Sequence, residues 1–244
     1  MFKLLEYVYF LVSFVVVVTE MHPNEELHFY SKCLLMIVLG AFYIQSAAGK
    51  WNKVHKLLIA AIFFSWIGDM ALMFVSNTGA NQKVMGVTKA PGYFLLGLGG
   101  FLIAHLLYIL AFTFVENKKG PPLLSQKIWI LVLLLAYLSG LLLILAPAIY
   151  KSDANRPVLV PVLLYSTAIG TMVILSLNRY KRVNDSSFIM VFAGAVLFML
   201  SDSILAINKF VFPFAASGIL LMPLYIGGQY LIVKGCLAQF HQEV

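Results

Sequence analysis

Apolar runs of about 16–23 residues recur eight times along the 244-residue chain, each closed by a short polar stretch. A helix rises about 1.5 Å per residue and a bilayer core is about 30 Å thick, so each run has the length of a membrane span. The runs lie near 4–19, 31–47, 55–75, 93–115, 128–146, 158–177, 188–207 and 215–237. Between them stand EMHPNEELH, GKWNK, SNTGANQKVMGVTKAPG, ENKKGPPLLSQK, YKSDANRP, NRYKRVNDSS and NKFVFP, where Gly, Pro and charge stop a helix. Backbone groups in hydrocarbon must be satisfied within the segment, so every run is predicted to be helical. Pro147, Pro161 and Pro223 are predicted to kink spans or trim their ends. Lys3 followed by an apolar run to Val18 has the outline of a secretory signal, but Glu6 interrupts it and no small-x-small cleavage pattern follows, so it reads as the first span. The expected fold is all-α: a polytopic membrane bundle of eight transmembrane helices, residues 1–244 forming a single integral-membrane domain.

Composition strengthens this picture. Hydrophobic residues make up 61% of the chain and charged residues 11%, against about 25% charged in an ordinary soluble domain, which excludes a water-soluble globule with a polar shell. The net charge of +7 is scattered over short loops, so it points to membrane orientation rather than to nucleic acid. Eleven Lys and Arg fall on the side of the termini and the even-numbered loops, among them Lys50, Lys118, Lys119, Arg179 and Arg182, against six on the other, among them Lys32, Lys89 and Lys209. Both termini are therefore expected in the cytoplasm. Cys33 and Cys236 lack the spacing of a metal or redox motif and read as packing residues. Asn184-Asp185-Ser186 has the form of a glycosylation sequon but falls in a loop expected on the cytoplasmic side.

Three ionisable groups interrupt the apolar runs: Asp69 in FFSWIGDMALMF, Asp202 in GAVLFMLSDSILAINKFVF and His105 in FLIAHLLYILAF. A carboxylate at the bilayer centre costs roughly 2.5–3.5 kcal/mol on insertion scales, so it is seldom kept without a partner or a task. Its bland role is a hydrogen bond between helices, worth about 0.6 kcal/mol on average, which Ser or Asn supplies with less desolvation. Counted from expected helix starts at His55 and Phe188, both Asp69 and Asp202 lie 14 residues along spans of one direction, hence at matching depth. FSWIGDMAL and FMLSDSILA align Asp on Asp, a likeness that shared apolar composition accounts for. Two carboxyls in one low-dielectric cavity do not ionise together, which divides them into an acid and a base.

His105 and Tyr108 share a helix face, extended by Phe101 and Phe112, while Tyr225 and Gln229 form a second polar stripe at i, i+4. Lys32 at the start of span 2 and Asn208 at the end of span 7 stand on the outer side, Lys32 as a snorkelling anchor or a phosphate contact. These groups are expected to converge on one cavity opening toward the non-cytoplasmic half of the bilayer. No G-x-S-x-G or H-E-x-x-H motif occurs, and Asp69, Asp202 and His105 on three helices make a thin ligand set, so neither metal nor cofactor is expected. Gly92, Gly97, Gly100 and Ala104 read as a close-packing face.

SWIGDMAL, AHLLY, GAVLFMLSDSILAINKFVFP and the Y-x-x-x-Q at Tyr225–Gln229 together resemble the lysoplasmalogenase family of eight-span membrane proteins. The resemblance covers spans 2 to 4 and 7 to 8 in order, whereas spans 1, 5 and 6 match in hydropathy alone. Leu35 stands where members often carry a proline, and Ile226 where a second tyrosine is common, which touches the shape of the pocket. The resemblance implies a hydrolase that cleaves the vinyl ether bond of lysoplasmalogens to a fatty aldehyde and glycerophospho-ethanolamine or -choline. On that reading Asp69, Asp202 and His105 are catalytic, Lys32, Tyr108, Asn208, Tyr225 and Gln229 bind substrate, and the partners are the lipid substrate and the bilayer. The expected location is the cell membrane of a bacterium or the endoplasmic reticulum of a eukaryote. The residues alone also fit a small proton-coupled transporter or a non-catalytic lipid-binding membrane protein.

Overall fold

The computed structural model describes residues 2–21, 24–47, 51–75, 83–84, 87–88, 92–114 and 123–240. Lys50, Lys89, Lys118 and Lys119 of the charge count, with the polar stretches 76–82 and 115–122, lie outside the described residues. The elements are α1 (Phe2–Met21), α2 (Glu25–Ser46), α3 (Lys53–Met73), β1 (Lys83–Val84), β2 (Val87–Thr88), α4 (Gly92–Thr113), α5 (Leu123–Gln126), α6 (Ile128–Lys151), a 3₁₀ turn (Arg156–Val158), α7 (Leu159–Leu177), α8 (Asp185–Phe210) and α9 (Ser217–Ala238). Among the described residues eight helices are long and apolar enough to cross a membrane. The chain is an integral multi-pass membrane protein with an all-helical framework, to which β1 and β2 add a two-residue antiparallel pairing.

Every expected run is one of the eight helices, and the differences lie at the ends. Three asparagines set the starts: Asn24 Oδ1 accepts the Leu27 N–H at 2.9 Å, Asn52 Oδ1 the His55 N–H at 3.0 Å and Asn184 Oδ1 the Ser187 N–H at 2.7 Å. Each satisfies a donor that the first turn cannot pair internally. The cap at Asn24 starts α2 at Glu25, six residues before the expected start, with Glu25 and Glu26 in the first turn where the helix dipole favours them. The sequon asparagine is thus the cap of α8. Pro161 falls in the first turn of α7, where its missing N–H costs little, whereas α6 continues past Pro147 to Lys151 and α9 continues past Pro223. Of the two expected effects, trimming does not occur at Pro147 or Pro223.

The chain comprises two compact units, Met1–Leu107 and Tyr108–Val244, divided within α4. In the first, α1 packs on α2 and α2 on α3 around Leu35, Leu39, Tyr43 and Leu58. The α3–α4 contact is made through glycine: a Cβ on Gly100 would stand 2.9 Å from Gly68 N, and one on Gly68 would stand 2.6 Å from the Phe101 ring. Lipid supplies no hydrophobic drive for helices to associate, so van der Waals contact through small residues does the holding. In the second unit α8 makes its most extensive contact with α9, where a Cβ on Gly194 would meet Gly228 O at 2.7 Å. α6 and α7 also pack on α8. α6 buries only Leu145 and Ile149 and turns Val132, Leu133, Leu143 and Ile144 outward, the face a helix offers to acyl chains.

Candidate functional site

Asp202 stands on α8, the helix that the second unit packs around, eight residues before its end at Phe210. Successive residues of an α-helix project about 100° apart, and the tripeptide Ser201-Asp202-Ser203 uses that rotation to meet three helices. Ser201 Oγ donates to Leu221 O of α9 at 3.2 Å, Asp202 Oδ2 accepts the Tyr165 hydroxyl of α7, and Ser203 Oγ accepts the Tyr137 hydroxyl of α6 at 2.7 Å. Asp202 is half-buried and Tyr165 is buried. Neither tyrosine was singled out in the sequence. Their one signal was a phenol inside an apolar run, where a buried hydroxyl needs an acceptor.

The same unit brings together two residues expected to touch substrate. The Tyr108 hydroxyl donates to Gln229 Oε1 at 2.6 Å, both residues fully buried, and the Tyr108 ring stacks on Phe112 with centroids 6.1 Å apart. Tyr225, one turn before Gln229, is buried edge-on against Phe198 at 5.4 Å. Asn208 Oδ1 accepts the Phe214 N–H at 3.0 Å and so holds the α8–α9 turn. An open apolar groove of about 720 Å³ beside α6, lined by Leu142, Leu143, Ala146 and Tyr150 among others, contains none of the candidates.

In the first unit Asp69 is 6% exposed and falls four residues before the end of α3 at Met73. On either side of it α3 is tied to α2: Trp66 Nε1 donates to Cys33 O at 3.0 Å, and Cys33 Sγ lies 3.1 Å from Met70 Sδ. His105 on α4 is fully buried, and its Nδ1 hydrogen bonds to Phe101 O at 2.7 Å. A carbonyl only accepts, so Nδ1 carries the proton and Nε2 is the lone-pair nitrogen of the neutral ring. Lys32 is half-buried and stands seven residues inside α2, because that helix begins at Glu25 rather than at the lysine.

Arg179, counted in the sequence as a loop cation, is fully buried just beyond α7. Its Nη2 donates to Ser187 Oγ at 2.9 Å and Gln239 Oε1 at 2.8 Å, and its guanidinium carbon lies 5.6 Å from the Phe112 ring centroid. Burial lowers its hold on the proton, with Cys236 acting the other way. Among the described residues no group of three His, Cys, Asp or Glu is arranged to hold a metal ion.

The profile of the YhhN family matches residues 27–236, a stretch that contains both acids, His105 and the α4–α9 pair. The chain belongs to the YhhN family. This YhhN chain is 28% identical over 219 residues to "Lysoplasmalogenase TMEM86B" of Homo sapiens, covering 88% of the chain and 79% of that protein. It is 29% identical over 201 residues to "Lysoplasmalogenase TMEM86B" of Sus scrofa, covering 82% and 71%. It is 25% identical over 205 residues to "Lysoplasmalogenase" of Mycobacterium tuberculosis (strain CDC 1551 / Oshkosh), covering 84% and 68%. No solved structure matches.

Proposed function

We propose that this chain is a lysoplasmalogenase, hydrolysing the vinyl ether bond of a single-chain plasmalogen to a fatty aldehyde and glycerophospho-ethanolamine or -choline. The observation that carries the reading is a family match that runs through both intramembrane carboxyls, with relatives in a mammal and a mycobacterium named for this activity. A vinyl ether is cleaved by acid–base chemistry alone. A proton adds to the β-carbon as the π pair becomes the new C–H bond, and an oxygen lone pair makes the oxocarbenium ion. Water adds to that carbon and gives up a proton. The hemiacetal then collapses to an aldehyde as its bond to the glyceryl oxygen breaks and that oxygen takes a proton. One water is consumed and nothing is oxidised or reduced.

Asp69 and Asp202 supply the acid and the base, a division that glycosidases make with paired carboxyls around a similar cation. His105, with its proton fixed on Nδ1, relays or orients through Nε2. Lys32 meets the phosphate, and Tyr108, Asn208, Tyr225 and Gln229 shape the binding surface, Tyr108 and Gln229 as a bonded pair. The excess of Lys and Arg on one side supports a topology with both termini in the cytoplasm. The test is to incubate purified protein in detergent with alkenyl and acyl lysolipids and to measure aldehyde. Aldehyde from the alkenyl lipid alone, with no proton gradient present, is the expected result. Absence of aldehyde, with proton-driven flux in sealed vesicles, would replace the hydrolase by a transporter.

A further inference from the structure

Tyr165 and Tyr137 present two phenols to adjacent residues of α8, and the two bonds differ in kind. Tyr137 donates to the neutral hydroxyl of Ser203, which itself donates to Met199 O at 2.8 Å. Tyr165 donates to a carboxyl oxygen, Oδ2 of Asp202. A phenol gives up its proton less readily than a carboxyl, so Tyr165 donates and Asp202 accepts, and a hydrogen bond received by a carboxylate favours its charged form. Bonds to an ionised acceptor are roughly twice as strong as neutral ones. With Ser201 bonded to α9 and Ser203 to α6, α8 is held on both sides of Asp202, and the Tyr165 bond fixes the carboxyl itself.

We infer that Tyr165 is a positioning residue of the hydrolysis: by tying Oδ2 it holds Asp202 as the carboxylate of the pair, with Oδ1 turned to the reacting carbon. In that role Oδ1 faces the oxocarbenium and takes a proton from water as the water oxygen bonds to the carbon. The same proton passes to the glyceryl oxygen when the C–O bond of the hemiacetal breaks, and Asp202 returns to carboxylate. The first proton, delivered to the β-carbon, then comes from a different group, and the hemiacetal hydroxyl returns a proton to that group. This role presupposes that Asp202 takes part in the hydrolysis.

Tyr165→Phe, Tyr137→Phe and Asp202→Asn are to be compared with the parent protein in detergent, reading kcat and KM for aldehyde release together with thermal stability. Tyr137 serves as the control, because it offers the same group to a neighbouring residue that does no chemistry. The expected result is a loss of kcat in Tyr165→Phe of about ten-fold or more at unchanged KM, the equivalent of one hydrogen bond to a charged group. Tyr137→Phe keeps the parent kcat. In an Asp202→Gly background added formate restores part of the activity, and adding Tyr165→Phe raises the formate needed for half-rescue by about ten-fold, since the phenol would hold the formate oxygen as it holds Oδ2. Parent kcat in Tyr165→Phe beside an inactive Asp202→Asn would overturn the positioning role alone. Parallel losses in both tyrosine variants that track thermal stability would reduce Tyr165 to a packing residue. An active Asp202→Asn would remove the reading of Asp202 itself.

Discussion

Adjacent glycines on α4 separate close packing from mere smallness. A Cβ on Gly100 would stand 2.9 Å from Gly68 N, 3.0 Å from Phe64 O and 3.1 Å from Gly68 Cα, all backbone atoms of α3, whereas one on Gly99 would meet nothing within 4 Å. Backbone cannot turn aside as a side chain does, so Gly100→Ala must push α3 and α4 apart by about 0.5 Å to recover ordinary contact distance. Overpacking of this kind costs about 1–3 kcal/mol. The displaced stretch of α3 includes Gly68, the neighbour of Asp69. Since misplacing a catalytic group by about 1 Å can cost 10²-fold in rate, half that shift is expected to lower kcat by roughly ten-fold in protein that is still folded. Gly99→Ala is expected to match the parent in both respects. Detergent-solubilised protein is to be followed by thermal aggregation and, well below the transition, by aldehyde release. Equal behaviour of the two alanine variants would refute the close approach of α3 and α4 as the reason for Gly100.

Two further substitutions test the second unit. Gln229→Leu removes the acceptor of the buried Tyr108 hydroxyl and is expected to cost about 1–3 kcal/mol in thermal stability, while Tyr108→Phe combined with Gln229→Leu recovers part of the loss because both polar ends are then gone. A double variant no more stable than the single one would contradict this. Asn184→Ala removes the cap of α8 and the bond from Asn184 Nδ2 to Ala238 O at 2.7 Å, and is expected to lower stability by about 1–2 kcal/mol with kcat unchanged. A kcat loss at a temperature where the variant is folded would give Asn184 a part the structure does not assign.

The eight spans were legible because bilayer thickness dictates their length, and the length of an apolar run survives any detail of packing. Helix ends were less so. Glu25 and Glu26 look like loop in a count of charges, yet the Asn24 cap and the helix dipole make them a favourable first turn of α2. Asp202 announced itself by the cost of a carboxylate in hydrocarbon, but its partner did not, since neighbouring helices are chosen by packing and leave no periodic trace. Tyr108 and Gln229 were each visible as polar residues on apolar faces, while the bond joining residues 121 positions apart was not. Arg179 does lie between α7 and α8, but its burial was hidden for the same reason. Its burial is made by Phe112, Ser187 and Gln239 from three other parts of the chain, which a count of loop charges cannot contain.

The central claim is that two intramembrane carboxyls carry out the hydrolysis, and charge-removing variants of near-identical shape test it most directly. Asp69→Asn and Asp202→Asn keep a carbonyl oxygen at each position, so the Tyr165 hydroxyl retains an acceptor and both variants should extract and melt like the parent. General acid–base catalysis is worth about 10²–10⁴-fold, so each variant should lose at least that much aldehyde release from alkenyl lysolipid. Parent-level aldehyde release from either folded variant would contradict the account.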